Sequence, residues 1–280
     1  MRKFVRFSPI LVVVLWLGVL AEQGQSQEAP PWAGNYCMSL FVKTRTAKTV
    51  GKDHLSLSFK SRWAEYDQRR NPQGEYDDLV AGDSYRRRCD VVCAKYGWAE
   101  DHHLAIGVPF LSSDYHVGAT DIATHGLGNV FVFEKWNPIK ETYYLPAVAF
   151  DAWVLFPTGD SAQKRGSSDC SVRFTMPVSK TWEHFSLHFH PGYQANCGDG
   201  PDILDLNGSV IFTPTKKSWP AIEYNYMDRD GKGVSHDFVP GFIWKYTKGA
   251  SVKLAAVISA DTNMSFRDEV GVVGKVFFRF

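Results

Sequence analysis

The chain has 280 residues, with 31 Lys and Arg against 30 Asp and Glu, so its formal net charge is only +1. This near balance excludes a nucleic-acid binder that relies on a strongly basic surface. The mean hydropathy of -0.23 excludes a protein built from membrane-spanning helices, because each such helix needs about 20 consecutive apolar residues.

The chain opens on a predicted secretory signal peptide, residues 1–26. A basic start, MRKFVR, precedes an apolar stretch over 9–20 that is too short to span a bilayer. The cleavage site is either 19–21 (VLA) or 24–26 (GQS), and no cysteine stands there to carry a lipid anchor. A buried N-terminal helix is the alternative interpretation of this stretch.

Residues 27–52 hold one weak strand, over 36–42, and a basic stretch. If that strand were added to the strands predicted in the rest of the chain, the total number of barrel strands would be odd. We therefore expect 27–52 to lie in the periplasm or to enter the lumen of the fold that follows.

Period-2 alternation of apolar and polar residues runs through residues 53–280, interrupted by Gly, Asn, Asp and Pro. In the tail, Val276 and Phe278 share one face and Lys275 lies on the other. Many segments exceed the usual 5–6 residues of a strand and reach the roughly 9–11 that cross a bilayer. The predicted strands, about twelve, lie near 54–66, 84–97, 101–111, 126–136, 141–156, 167–178, 183–194, 202–213, 218–228, 235–247, 250–261 and 266–280.

The connections between these strands alternate in length. Short turns such as WAED, NPIK and TKGA alternate with long loops such as DQRRNPQGEYDDLVAG. This alternation is typical of an outer-membrane barrel with short periplasmic turns and long extracellular loops. The sequence thus predicts an all-β, transmembrane, antiparallel up-and-down β-barrel over 53–280. A secreted β-sandwich or lipocalin-like barrel, with its apolar face inward, is the alternative.

Aromatic residues cluster near both predicted ends of the strands, as two interfacial belts would require. The predicted periplasmic belt contains Trp98, Trp136, Tyr144, Trp182, Phe212, Trp219, Tyr246 and Phe280. The predicted outer belt contains Trp63, Phe110, Phe156, Tyr193, Tyr226 and Phe238.

Four motifs follow one another in the barrel region: HGLGNVFVFEKW, FPTGD, HPGYQAN and FVPGFIWKYTKG. Their order and spacing resemble the outer-membrane family named for the MetA pathway of phenol degradation, over roughly 53–280. The family usually carries an acidic residue where Asn129 stands, so we assign that position no role. The resemblance implies an outer-membrane barrel that passes aromatic or other hydrophobic compounds. The ending on Phe280 also resembles the signal read by the bacterial barrel-assembly machinery.

Charged and aromatic side chains on the predicted inner face are the candidate pore lining. Charges of both signs would select solutes by their field or, alternatively, fill a closed lumen as ion pairs. The predicted pore-lining residues are Lys60, Arg62, Arg86, Arg88, Asp90, Phe131, Phe133, Asp151, Trp153, Arg173, His184, His188, His190, Asp205, Glu223, Asp237, Lys245, Lys253, Glu269 and Lys275.

The histidines among them, His184, His188 and His190, are the one candidate metal cluster, because imidazoles at this spacing could bind a transition metal. We interpret them as polar lining and predict no metal and no cofactor. The Asp- and Gly-rich loops CGDGPDILDLNG and DRDGKG do not meet the spacing of a calcium loop.

Five cysteines remain after export. Cys89 and Cys93 would lie about 13 Å apart along one face of a strand, too far to bridge. Cys170 and Cys197 are the candidate disulfide, which leaves Cys37 without an assigned partner.

The sequence predicts a channel or transporter in the outer membrane of a Gram-negative bacterium, passing small solutes through a narrow lumen. A structural or adhesive surface barrel with a plugged lumen is the alternative. We expect no enzyme activity. A lipid hydrolase needs a Ser–His pair on the lipid face, and the predicted strand faces give no such pair. The expected partners are outer-membrane lipid, lipopolysaccharide, the barrel-assembly machinery and a small solute, with no nucleic acid.

Overall fold

The computed structural model describes residues 43–70, 76–118, 120–160, 169–198, 201–230, 233–247, 249–262 and 266–280. The predicted signal peptide, Cys37 and most of the predicted segment 27–52 lie outside that part of the chain. Among the described residues, no helix is long and apolar enough to cross a membrane.

Fifteen β-strands form one sheet in the described part of the chain, and neighbouring strands are antiparallel. They are β1 (Leu55–Arg70), β2 (Tyr76–Asp78), β3 (Ser84–Ala99), β4 (His102–Val117), β5 (Thr120–Leu127), β6 (Phe131–Ile139), β7 (Ala147–Leu155), β8 (Ser171–Thr175), β9 (Val178–Thr181), β10 (Phe185–Asn196), β11 (Ile203–Phe212), β12 (Ser218–Arg229), β13 (Gly233–Lys245), β14 (Ala250–Thr262) and β15 (Phe266–Arg279).

The sheet closes into a barrel with twelve strand positions, which confirms the predicted fold class. Closure comes from β15, which pairs with β14 on one side and β1 on the other. β8 and β9 share one position, because both lie between β7 and β10. Pro177 stands between them, and proline has no N–H to donate to a neighbouring strand. β2 and β5 extend β1 and β4 beyond the barrel.

The two rims of the barrel differ. The rim at which Phe280 lies, called here the C-terminal rim, carries tight turns such as 182–184 and 213–217. At the opposite rim, called the loop rim, β7 ends, β8 begins and the β4–β5 extension lies. Because β1, β3 and β4 have 16 residues each, they project well past the roughly 9–11 residues that a bilayer needs.

Apolar side chains cover the outer wall, and polar ones fill the interior. On β1, Leu57 and Phe59 are exposed while Ser56 and Ser58 are buried. On β10, Phe189 is exposed while His188 and His190 are buried. This inside-out distribution is what a barrel surrounded by hydrocarbon requires, since a barrel that faces water buries its apolar side.

Exposed aromatic side chains mark both rims, with Trp98 and Trp136 near the C-terminal rim and Trp63 and Phe110 nearer the loop rim. The prediction that Trp219 belongs to the periplasmic belt of interfacial rings is wrong. Its ring faces the lumen, 6% exposed, and its indole N–H donates to the carbonyl oxygen of Thr215 at 2.7 Å.

Candidate pore and its inner segment

Most predicted pore-lining side chains do face the lumen, where they alternate with exposed residues of the same strands. They are Lys60, Arg62, Phe131, Phe133, Asp151, Trp153, Arg173, His188, His190, Asp205, Glu223, Asp237, Lys245, Lys253 and Lys275. Six of these side chains are cationic and four carry a carboxylate, so cations are in the majority among the charged residues of this list.

The structure places Arg86, Arg88 and Asp90 on the outer face, so their assignment to the lining is corrected. On β3 it is the odd-numbered residues that face inward, as Cys93 shows. Arg88 pairs with Asp90 at 2.9 Å, and Arg86 pairs with Glu65 at 3.0 Å, on exposed surface. These charges lie on the part of β3 nearer the loop rim, where the strand projects past the apolar band.

Two further predicted residues do not contribute to the described lining. His184 lies in the exposed turn 182–184 at the C-terminal rim, beyond the start of β10, so its assignment is corrected. Glu269 lies in β15, but its side chain is outside the part of the chain that the structure describes.

Residues 43–50, called here the inner segment, lie inside the barrel and contact its wall. The backbone N–H groups of Lys43 and Thr44 donate to Glu223 Oε1, at 2.7 Å and 3.2 Å. The N–H of Ala47 donates to Ser179 Oγ at 2.9 Å, and the ammonium of Lys135 donates to a carbonyl of the segment. Buried backbone groups need hydrogen-bond partners, and here side chains of the wall provide the partners that a neighbouring strand would otherwise provide.

The cationic side chains of the inner segment bind acidic and aromatic groups of the wall. The Arg45 guanidinium lies 3.9 Å from the centre of the Trp153 ring and 3.9 Å from Asp151 Oδ2. Lys48 Nζ lies 3.1 Å from Glu141 Oε2, in the turn after β6. Burial lowers the pKa of Lys48, and the neighbouring carboxylate opposes that shift.

A tight turn joins the inner segment to β1 at the C-terminal rim. Gly51 and Asp53 have positive φ angles of 91° and 57°. The turn docks against β3, where the N–H of Asp53 donates to the carbonyl oxygen of Gly97 at 2.7 Å. A Cβ atom at position 97 would lie 1.7 Å from the Gly51 carbonyl oxygen, so only glycine allows this approach.

His188 lies between two serine hydroxyls in the lumen, with Ser179 Oγ 2.8 Å from Nδ1 and Ser186 Oγ 3.0 Å from Nε2. Ser179 also accepts the N–H of Ala47, so this histidine helps to fix the wall where the inner segment docks. Within the described ranges, no group of three or more His, Cys, Asp or Glu side chains could hold a metal ion.

A cavity of about 250 Å³, called here the basic cavity, lies between the inner segment and the wall. Six of its lining side chains are cationic: Lys43, Arg45, Lys60, Lys95, Arg173 and Lys275. The remainder includes Phe131, Leu155 and Trp153, which pack together, with Trp153 and Phe131 ring centres 5.2 Å apart.

The lumen also holds an apolar patch that was not predicted as a candidate site. Its members lie on the inner faces of β11 to β15 and are almost completely buried: Ile211, Trp219, Ala221, Val239, Ile243, Ala255, Val257 and Val273. The signal in the sequence was the set of apolar residues that interrupt the polar faces of these strands, Ile211, Val239, Ile243 and Val257.

The cysteines occupy two places. Cys170 and Cys197 lie at the loop rim with their sulfur atoms 2.7 Å apart, and the N–H of Cys197 donates to the carbonyl oxygen of Cys170. Cys93 lies in the lining of the basic cavity, and Cys89 lies on the same face of β3.

Comparison with protein-family models gave no match, and comparison with curated protein sequences gave none. The resemblance to the MetA-pathway family therefore stays a prediction. An outer-membrane channel from Pseudomonas putida F1 is similar in structure, with a TM-score of 0.71 and 10% identity over 85% of this chain and 100% of that chain. The KdgM porin in complex with disordered oligogalacturonate has a TM-score of 0.52 and 10% identity over 80% and 99%. At these identities the similarity shows a shared barrel fold.

Proposed function

We propose that the chain is an outer-membrane channel that passes small solutes through a lumen narrowed by the inner segment. The observation that carries this proposal is a closed barrel with an apolar outer wall and a charged interior, across which residues 43–50 lie. A wall lined mainly by cations favours solutes that carry negative charge. Export through a cleaved signal peptide and assembly through the Phe280 signal belong to the same proposal.

Aromatic or hydrophobic compounds are the candidate solutes, as the MetA-family resemblance implies. Phe133 and Trp153 stack in the lumen with ring centres 3.9 Å apart, and the apolar patch on β11 to β15 adds a second surface of the same character. Such surfaces bind a ring by burying apolar area and by aromatic stacking.

The test is the conductance of the purified protein in planar bilayers. We expect small, anion-preferring currents for the natural chain. The double variant Arg45→Ala, Lys48→Ala should conduct more, because it removes two ion pairs that attach the inner segment to the wall, with Asp151 and with Glu141. Absence of any current from both proteins would contradict the channel.

That negative result would favour the second candidate, a structural or adhesive surface barrel whose lumen stays filled. The specific observation behind it is the same inner segment, whose Thr44, Thr46 and Ala47 are completely buried.

We further propose that Cys170 and Cys197 form a disulfide after export, which would tie β8 to β10 at the loop rim. Peptide mapping without reductant would show that cross-link.

A further inference from the structure

The outer wall of the barrel holds a groove around Gly208 on β11, called here the wall groove, with a volume of about 450 Å³. Phe189 on β10 and Tyr224 on β12 are both paired in register with Gly208, and they form the two sides of the groove. The next outward-facing row toward the C-terminal rim also lines it and consists of Leu187, Val210 and Ile222. The wall groove therefore runs along the strands over an apolar surface.

The lack of a side chain at position 208 leaves this space open. Among the described residues beyond its chain neighbours, a Cβ atom there would have only the His188 carbonyl oxygen within 4 Å, at 3.9 Å. The hydroxyl of Tyr224 lies 2.6 Å from His236 Nδ1 on β13, and this hydrogen bond fixes one side of the groove. A glycine inside a strand often marks a place that a ligand approaches closely.

The surroundings of the wall groove indicate what fills it. It opens on the apolar outer wall, where the hydrocarbon of a bilayer supplies no water. An apolar cavity of about 150 Å³ can hold one benzene molecule, so a groove of about 450 Å³ accepts a larger apolar group. From Gly208 to Phe212 the strand spans about 13 Å, which suits a linear chain. An acyl chain has this shape, and it keeps the dispersion contacts that an empty groove would lose.

The end of the wall groove at the C-terminal rim is amphipathic. Lys180 on β9 and the exposed ring of Trp182 line that end. The Lys180 ammonium donates to the carbonyl oxygens of Thr142 and Tyr143, at 2.5 Å and 2.6 Å, and these bonds hold its charge at the rim. The groove thus joins an apolar channel along the strands to a cation at the rim.

Further charges surround this end. Lys216 and Lys217 are exposed in the turn 213–217, which joins the two strands that carry Val210 and Ile222. Of the described carboxylates in the neighbouring turns, Glu141 pairs with Lys48 of the inner segment, and Glu183 is exposed in the turn 182–184. A phosphate at this end would therefore lie among more cations than carboxylates.

We propose that the wall groove binds one acyl chain of a phospholipid whose phosphate lies beside Lys180 and Lys217. The site is on the outside of the barrel and is separate from the lumen and its solute. It rests on the proposed function in one respect, because the barrel must lie in a bilayer to meet a phospholipid. It does not require an open lumen.

The test is native mass spectrometry of the full chain in detergent, titrated with dioleoylphosphatidylglycerol or with dioleoylglycerol, which has no phosphate. We expect phosphatidylglycerol to bind about tenfold more tightly, because only it offers a phosphate to the lysines. Gly208→Ile fills the wall groove and should weaken phosphatidylglycerol binding about tenfold or more, since several methylene groups lose their burial. Gly274→Ile is the matched control on the outer face of β15, where a Cβ atom would make an ordinary contact with Leu254 at 3.7 Å.

The double variant Lys216→Gln, Lys217→Gln tests the phosphate end. It should weaken phosphatidylglycerol binding about fivefold or more and leave dioleoylglycerol binding unchanged. Lys52→Gln removes an exposed charge at the same rim, in the turn before β1, and should keep the natural affinity. Circular dichroism of each variant checks that the barrel has folded.

Equal phosphatidylglycerol affinity in Gly208→Ile and Gly274→Ile would overturn the site, and so would dioleoylglycerol binding as tightly as phosphatidylglycerol. Conductance separates this inference from the channel, because Gly208→Ile changes only the outer wall and should conduct like the natural chain. Conductance without phospholipid binding would overturn the groove site and leave the channel standing. Phospholipid binding without conductance would do the opposite.

Discussion

Two sectors of the lumen wall differ in the groups that they offer. The sector formed by β7, β9 and β12 carries Asp151, Ser179 and Glu223, which accept hydrogen bonds or attract cations. The sector formed by β14, β15 and β1 carries Lys253, Lys275 and Lys60, which lie side by side in register. The inner segment hydrogen-bonds to the first sector and leaves the basic cavity in front of Lys60 and Lys275.

This difference shows what holds a strandless segment inside a barrel. The inner segment has backbone N–H groups that are not part of a sheet and cationic side chains, and both need acceptors. The first sector offers them, whereas a lysine ammonium has no acceptor to offer. The distribution of hydrogen-bond acceptors along the wall therefore determines where the inner segment lies in the lumen. The following substitutions test that relation.

The largest effect is expected for Glu223→Ala. This change removes the acceptor of two backbone N–H groups, and hydrogen bonds to a charged group are each worth about 1.5–3 kcal/mol. We expect the inner segment to leave the wall and the open probability in planar bilayers to rise about tenfold or more. Glu223→Gln keeps a carbonyl acceptor at the same place and should show a smaller rise. Unchanged currents in Glu223→Ala would mean that the segment is held elsewhere.

A smaller effect is expected for Trp153→Leu, which removes the ring beneath Arg45. A buried cation–π contact is worth about 0.5–2 kcal/mol, so open probability should rise between about two- and thirtyfold. Trp182→Leu changes an exposed ring at the C-terminal rim and serves as the control. Equal currents in both variants would show that this contact does not hold Arg45.

The strand pattern in the sequence was sufficient to predict the barrel, because alternation and connection length both follow from the geometry of closure. The same pattern was less reliable for predicting which side chains face the lumen in strands that project beyond the membrane. On β3, Arg86 and Arg88 look like lumen residues only if every outward residue must be apolar, and that requirement ends where the hydrocarbon ends.

The candidate site was less predictable than the fold. Phe133, Trp153 and Lys60 could be placed on the inner face from parity alone. The basic cavity also needs Lys43 and Arg45, whose contacts depend on long-range packing of a segment with no periodicity. The row of Lys60, Lys275 and Lys253 requires the register of three strands, two of which are far apart in the sequence.

The turn at Gly51 and Asp53 makes the inner segment a tethered ligand of its own barrel. A tethered group acts at an effective concentration that short flexible linkers set in the millimolar range, whatever the amount of protein. Dilution therefore cannot empty the lumen, and a free peptide of the same sequence would compete only near such concentrations. Each barrel contains one inner segment. The docking of Gly51 against Gly97 fixes the point about which that segment can rotate.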